Sequence, residues 1–165
     1  MTQAEPLPWL LAELAKAPRT LPPARPGARP RTVVAFAFAP ATPERLADAE
    51  RAVGTLDPTV RELVLASDGH DLFVDLTGGG GFRLRSTAEI AASTQRLRAR
   101  GGMPAAWLAV AGPVGFTEHV VLDPREGVRY AHERDEPDDW PVIAPDYEAF
   151  LRELLARDGV LYWWE

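Results

Sequence analysis

The sequence from Thr42 to Phe73 predicts two short helices followed by a strand. This order of elements restricts the possible folds of the chain more than any other feature. Thr42 is predicted to cap the first helix, with Pro43 at its first helical position. Gly54 ends the pattern of this helix. Its apolar positions recur at helical spacing and are Leu46, Ala49 and Val53.

The second helix starts again within a few residues. Asp57 and Pro58 mark this restart. Gly69 is predicted to take the left-handed conformation that closes this helix, and Leu72 with Phe73 begins a strand. The apolar side of the second helix is formed by Val60, Leu63 and Val64.

Further along the chain, a strand is predicted to run straight into a helix. Residues 82–85 have the pattern of the strand. Ser86 and Glu89 can form a capping box, in which the serine hydroxyl accepts from a first-turn amide and the glutamate accepts from the serine amide. The later elements are strands at residues 107–111, 120–123 and 128–132 and a helix from about residue 146 to residue 157.

This order of elements over residues 40–160 resembles the SUKH superfamily, in the branch related to the fungal Smi/Knr cell-wall regulators. That branch begins with an acidic amphipathic helix, a Gly-Leu-Pro-like turn, and a helix that ends in an Asn-Gly or Asp-Gly pair. Here the turn is formed by residues 54–58, with one residue inserted between Leu56 and Pro58, and the pair is Asp68-Gly69.

The resemblance implies an α+β fold in which an antiparallel twisted sheet packs against helices. Bacterial members of the superfamily are mostly immunity proteins that bind and neutralise the toxin domain of a polymorphic or contact-dependent toxin system. The fungal relatives are regulatory scaffolds. The resemblance therefore implies a cognate bacterial toxin domain as the partner, with a regulatory or scaffold role without a toxin partner as the alternative. Neither role needs a catalytic residue.

Composition excludes several kinds of site. The chain has no cysteine, which excludes disulfides, thiolate metal sites and cysteine nucleophiles. A net charge of −6 argues against a general nucleic-acid binder, which needs a basic surface to meet phosphates. No apolar run approaches the ~20 residues that span a bilayer, and the first residues lack the pattern of a secretion signal. We therefore expect a cytoplasmic protein without a membrane partner.

The first thirty residues are predicted to form an arm. Residues 7–17 can form a short helix, and the prolines between residues 18 and 30 then favour an extended chain. We expect an arm of residues 1–30 that is dispensable for folding, and a SUKH-like domain of residues 31–165. In the competing interpretation, the first helix covers the tryptophans at the end of the chain. The apolar side of this helix is formed by Trp9, Leu10, Leu11 and Leu14.

Short connections predict an antiparallel sheet. Residues 32–39 have the pattern of a buried strand, because β-branched and aromatic residues fill it and a proline stops it. The glycines at 78–81 are predicted to form a hairpin turn, and residues 123–127 another. Such short loops leave no room for a crossover helix. At the chain end, neighbouring strand residues point to opposite faces, so either Trp163 or Trp164 should pack inward.

No pattern of catalytic or metal-binding residues emerges. The glycine run lacks the Lys and Ser or Thr of a phosphate loop, and no serine has the Gly-x-Ser-x-Gly elbow. Asp68, His70 and Asp71 form the densest polar cluster and could act in acid–base chemistry or hold a metal, but a polar cap at a helix end is the simpler interpretation. We predict no enzyme activity, no metal and no cofactor.

Carboxylates crowd one connection near Trp140. They lack the ligand spacing of an EF-hand loop. The simpler interpretation is a solvated loop without a binding role. The more specific interpretation is an acidic surface that binds the partner. We predict that this connection binds the partner, with Trp140 either as an anchor in the interface or as a core residue beside Pro141. The carboxylates are Glu133, Asp135, Glu136, Asp138 and Asp139.

Overall fold

The computed structural model describes residues 5–23, 29–77, 79–161 and 163. Over these residues the helices are α1 (Leu7–Leu14), α2 (Pro43–Val53), α3 (Pro58–Ala66), α4 (Thr87–Gly101) and α5 (Tyr147–Ala156). The strands are β1 (Arg19–Leu21), β2 (Arg31–Ala37), β3 (His70–Asp75), β4 (Phe82–Leu84), β5 (Leu108–Pro113), β6 (Glu118–Asp123), β7 (Gly127–His132) and β8 (Val142–Ala144). A 3₁₀ turn at Pro137–Asp139 lies between β7 and β8.

The strands form one antiparallel sheet in which each strand pairs with the next along the chain, from β1 at one edge to β8 at the other. The hairpin between β6 and β7 depends on its glycine. Gly127 has a φ of 111°, and a Cβ there would overlap the carbonyl oxygens of Ala144 and Pro145. The predicted α+β fold with an antiparallel sheet is confirmed.

Helix α2 begins at its predicted cap, and α3 begins where the sequence predicts a restart, with Asp57 as its cap. Thr42 Oγ1 accepts a hydrogen bond from the Arg45 amide at 3.3 Å, and Asp57 Oδ1 accepts from the amide two residues further on at 2.9 Å. The end of α3 differs from the prediction. It stops at Ala66, and Gly69, with a φ of 106°, lies beyond the helix in the turn that leads into β3.

Helix α4 begins at the predicted capping box. Ser86 Oγ accepts from the Glu89 amide at 3.3 Å, and Glu89 Oε2 accepts from the Ser86 amide at 2.9 Å. We expect Ser86→Ala to lower the free energy of unfolding by about 1 kcal/mol, because a first-turn amide loses its partner. Chemical denaturation measures this change. Ser93→Ala, inside the same helix, is the control and should be neutral or slightly stabilising. Equal losses in both variants would contradict the capping role.

The N-terminal segment packs into the main hydrophobic cluster. Helix α1 ends at Leu14 rather than at residue 17, and its Leu11 is fully buried whereas its Trp9 is 46% exposed. Part of the predicted extended arm forms β1, which pairs with β2. The proline at residue 26 lies outside the described residues. Residues from this segment that join the cluster are Leu7, Leu11 and Leu21.

The predicted strand forms as β2, but the prediction that it is buried is wrong. Val33 is its one buried residue, and Phe36 within β2 and Phe38 just after it are 50% and 49% exposed. Helix α1 contacts β2, whereas α4 packs against α2 and β5. Over the part of the chain that the structure describes, the end of β2 therefore keeps one exposed face. An apolar run could not show this, because burial depends on where distant helices pack.

Two hydrophobic clusters lie on opposite faces of the sheet. Neighbouring residues of β6 point into different clusters: Val120 joins the main one, and Val121 joins a smaller one. This alternation follows from the two-residue period of a strand. The smaller cluster consists of Leu97, Met103, Trp107, Ala109, Val121, Ala131 and Trp140.

The chain end packs beside the main cluster. The ring centroid of Trp163 lies 5.2 Å from that of Tyr130 and 5.6 Å from that of Phe150. This agrees with the expectation that one of the two terminal tryptophans points inward, but Trp163 has 3₁₀ rather than strand conformation. Trp164 lies outside the described residues. Over the part of the chain that the structure describes, no helix has the length and apolar character needed to cross a bilayer.

Candidate partner-binding surface

The acidic connection, residues 133–140, joins β7 to β8. Four of its carboxylate side chains are exposed, and none of them forms a hydrogen bond or an ion pair with another described residue. Carboxylates without a partner remain free to meet positive charge on another molecule. These four residues are Asp135, Glu136, Asp138 and Asp139.

Contacts with neighbouring elements fix the backbone of the acidic connection. Trp140 Nε1 donates to the carbonyl oxygens of His132 and Asp135, each at 3.2 Å. Arg129 Nη1 donates to the Trp140 carbonyl oxygen at 2.8 Å. Pro137 is buried and begins the 3₁₀ turn. The exposed carboxylates are thus held on an ordered backbone, which lowers the entropic cost of binding.

Trp140 is a core residue. It is 2% exposed, and its ring centroid lies 6.2 Å from that of Trp107. The guanidinium carbon of Arg129 lies 4.9 Å from the centroid of the Trp107 ring. This burial agrees with the interpretation of Trp140 as core packing and leaves no indole surface with which it could anchor a partner.

We expect Trp140→Ala to lower the free energy of unfolding by about 3–5 kcal/mol, because it leaves a cavity in the smaller cluster and removes the indole donor from two carbonyl groups. Chemical denaturation measures the loss. Phe116→Ala is the matched control, since Phe116 is 60% exposed, and should change stability by less than about 0.5 kcal/mol. A Trp140→Ala protein as stable as the control would contradict the core assignment.

Glu133 has a different role from the other four carboxylates. Its Oε1 lies 2.9 Å from His119 Nε2 and 3.1 Å from Arg96 Nη2, and its Oε2 lies 3.9 Å from Arg100 Nη1. The hydrogen bond with His119, helped by the nearby arginines, holds the pKa of Glu133 below its ordinary value. Glu133 therefore fastens the start of the acidic connection to β6 and α4.

The tautomer of His119 follows from its neighbours. Arg85 Nη2 lies 2.5 Å from His119 Nδ1, and a guanidinium only donates, so Nδ1 is the acceptor. The ring proton then lies on Nε2, which donates to Glu133 Oε1 at 2.9 Å. Arg96 Nη2 lies 3.3 Å from the same nitrogen but closer to Glu133 Oε1, at 3.1 Å, so it pairs with the carboxylate. Burial, together with the positive charges of Arg85 and Arg96, lowers the pKa of His119 to about 4. His119 is therefore neutral near pH 7.

The cluster of Asp68, His70 and Asp71 is divided among separate structural contacts. Asp68 accepts from the Thr87 amide at 2.6 Å and from the Thr87 hydroxyl at 3.1 Å, which caps α4 rather than α3. Asp71 accepts two hydrogen bonds from Arg83, at 2.6 and 2.8 Å. His70 is 4% exposed. Among the described residues, no group of three or more His, Asp or Glu side chains is placed to hold a metal ion.

Sequence reasoning missed an open cleft of about 760 Å³ between the end of β2, helix α2 and the start of α4. Phe38 and Ala39 contribute apolar surface to it. Charges of both signs line it: Arg45, Arg83, Asp48, Asp68 and Glu89. The signal in the sequence was the apolar run near Phe38. We interpreted that run as a buried strand, so it did not point to a surface.

Comparison with protein-family models matches residues 40–153 to the SMI1 / KNR4 family (SUKH-1). The match covers more than half of the chain and includes the acidic connection. It begins after β2 and ends within α5. No curated protein matches the chain.

Proposed function

This chain belongs to the SMI1 / KNR4 family (SUKH-1), and from that premise we propose that it is a non-catalytic binding protein, an immunity protein that neutralises a cognate bacterial toxin domain by covering its active site. Bacterial members of the wider superfamily are mostly immunity proteins, and that role needs shape and charge rather than a reactive group. The proposed setting is the bacterial cytoplasm, with neither a nucleic-acid nor a membrane partner.

One observation carries the proposal. Four exposed carboxylates without a partner among the described residues lie on a backbone that Trp140, Arg129 and Glu133 hold in place. Like charges held close together repel one another, so a positively charged partner would relieve that repulsion. The arrangement therefore fits an acidic docking surface.

The charge of this surface indicates what it would meet. Many toxin domains neutralised by SUKH members act on nucleic acids and have basic active-site clefts. Asp135, Glu136, Asp138 and Asp139 would enter such a cleft and occupy the positions of substrate phosphates. The sequence predicts Glu133 and Trp140 as part of the same surface. In this proposal they hold the backbone of the acidic connection in place and do not contact the partner.

A regulatory or scaffold role is the second candidate, because the family also contains fungal regulators. The same acidic surface would then hold a protein whose activity is unchanged by binding. Inhibition of the partner separates the two roles, since only an immunity protein must suppress the activity of its partner.

The test is a titration of a candidate toxin domain, chosen from the genes that neighbour the gene of this chain. Purified full-length chain is added to the toxin domain and residual toxin activity is measured. We expect activity to fall linearly and to end at a fixed molar ratio, because each bound copy blocks one active site. Loss of toxin activity at a small fraction of that ratio would indicate catalysis and contradict the binding proposal. Tight binding with full residual activity would favour the scaffold role.

A further inference from the structure

A run of five exposed apolar residues lies at the end of β2 and just beyond it. Phe36 and Phe38 are each about half exposed, and no charged side chain interrupts the run. Contiguous exposed apolar surface of this kind marks an interaction site. We refer to this run as the apolar edge: Phe36, Ala37, Phe38, Ala39 and Pro40.

Strand β1 covers only the first part of the outer edge of β2. It pairs with Arg31–Val33, and beyond Val33 the described strands pair with β2 only through β3. The Phe38 amide donates to the Gly69 carbonyl at 3.3 Å, so the backbone of Phe38 faces inward. Backbone groups alternate along a strand, and the N–H and C=O of Ala37 therefore point to the open edge.

We propose that the apolar edge pairs with the same edge of a second copy of this chain, in a two-fold symmetric antiparallel dimer. With the symmetry axis at Ala37, the N–H and C=O of Ala37 exchange two hydrogen bonds with Ala37 of the other copy. Phe36 of each copy then lies opposite Phe38 of the other, on the same face of the joined sheet. The pairing satisfies the open backbone groups and covers both phenylalanines.

The charges on the chain favour a second copy as the occupant. The apolar edge has no charged side chain, so self-pairing there brings no like charges together even though each copy has a net charge of −6. Beside the edge, Arg45 and Asp48 are both exposed on α2 and border the same cleft. Within one chain Arg45 pairs with Asp68 and Asp48 pairs with Arg51, so the charges beside the edge are balanced and do not oppose self-pairing.

The place of the edge in the sheet also fits self-association. Edge strands that remain unpaired are usually protected by a lysine, an inward-pointing charge or a central proline. The apolar edge has none of these before Pro40 at its end. It lies near β1, whereas the acidic connection lies between β7 and β8 at the other side of the sheet. A dimer would therefore leave the acidic connection free, and this proposal does not depend on the identity of the toxin.

The experiment measures the mass of the full-length chain by analytical ultracentrifugation from micromolar to near-millimolar concentration. Because the ladder is short and the interface small, we expect a reversible monomer–dimer equilibrium with a micromolar dissociation constant. The double variant Phe36→Lys with Phe38→Lys should weaken self-association at least tenfold. Phe116→Lys replaces another exposed phenylalanine and should dimerise like the wild type. Circular dichroism confirms that each variant is folded.

A second measurement uses the unmodified chain and does not depend on a variant folding. Hydrogen exchange at the Ala37 amide should slow as the concentration rises through the dimerisation range, because that N–H becomes bonded. A wild-type chain that remains monomeric throughout would overturn the proposal. So would a double lysine variant that still dimerises, a Phe116→Lys variant that dissociates equally, or an Ala37 amide whose exchange is independent of concentration.

Discussion

A chain that begins at Arg31 is expected to be unstable or to aggregate, in contrast to the dispensable arm that the sequence led us to expect. The deletion removes Leu7, Leu11 and Leu21 from the main cluster together with strand β1. Burial of one leucine side chain contributes about 1.5–3 kcal/mol, so the loss is on the order of 5 kcal/mol or more. That is comparable with the whole stability of a domain of this size. Thermal unfolding of the two chains measures the difference.

Two single substitutions on α1 sharpen this test. Leu11 is fully buried, and Leu11→Ala should lower the free energy of unfolding by about 2–5 kcal/mol. Trp9 lies on the same helix but is 46% exposed, so Trp9→Ala should cost less than about 1 kcal/mol. If the shortened chain unfolds at the temperature of the full chain and Leu11→Ala is neutral, α1 is an arm and its packing is not part of the folded domain.

Acidification from pH 7 to about pH 4 is expected to destabilise the protein strongly through two buried histidines. Burial lowers the pKa of both His70 and His119 from the ordinary value of 6.5 to about 4. Between pH 6.5 and pH 4 these histidines bind protons in the unfolded chain but not in the folded chain. The stability that they contribute above pH 6.5 is therefore lost as the pH falls towards 4. Each histidine contributes about 3 kcal/mol to this loss. Chemical denaturation at several pH values measures it.

Variants at the two histidines assign the pH dependence. In His119→Gln, the glutamine oxygen can accept from Arg85 and its amide group can donate to Glu133, but the side chain does not titrate. His70→Gln is the corresponding change in β3. The double variant should lose much less stability between pH 6.5 and pH 4 than the wild type. Phe116→Gln, at an exposed residue that does not titrate, should retain the wild-type slope. An unchanged slope in the double variant would show that other groups cause the acid sensitivity.

The predictable parts of the fold were those decided by local chemistry. Thr42 and the pair Ser86 and Glu89 cap helices because their side chains reach amides only three residues away, and such contacts can be predicted from spacing alone. The antiparallel order of the strands was predictable because short loops exclude crossover connections.

The parts that could not be predicted depend on contacts between distant residues. Phe36 and Phe38 lie in an apolar run whose composition is typical of a buried strand. Their exposure depends on where the distant helices α1 and α4 pack. Glu133 looked like its neighbours in the acidic run, yet it accepts from a histidine on another strand. Likewise, no spacing pattern distinguishes a buried Trp140 from an exposed one.

The central claim is that the acidic connection recognises the partner, and association kinetics with the cognate toxin domain test it most directly. The test variant combines Asp135→Asn, Glu136→Gln, Asp138→Asn and Asp139→Asn. The control combines Glu44→Gln, Asp48→Asn, Glu62→Gln and Glu148→Gln, which are exposed elsewhere and change the net charge by the same amount. Both variants should keep the fold, because all of the changed side chains are exposed.

Association rates are measured at low and at high salt for the wild type and both variants. We expect the test variant to associate on the order of tenfold more slowly at low salt and to lose most of its salt dependence, because local charge complementarity speeds encounter and is screened within a Debye length of ~10 Å near 0.1 M. The control should remain close to the wild type. A test variant that associates at the wild-type rate with the wild-type salt dependence would contradict the account and place the binding surface elsewhere.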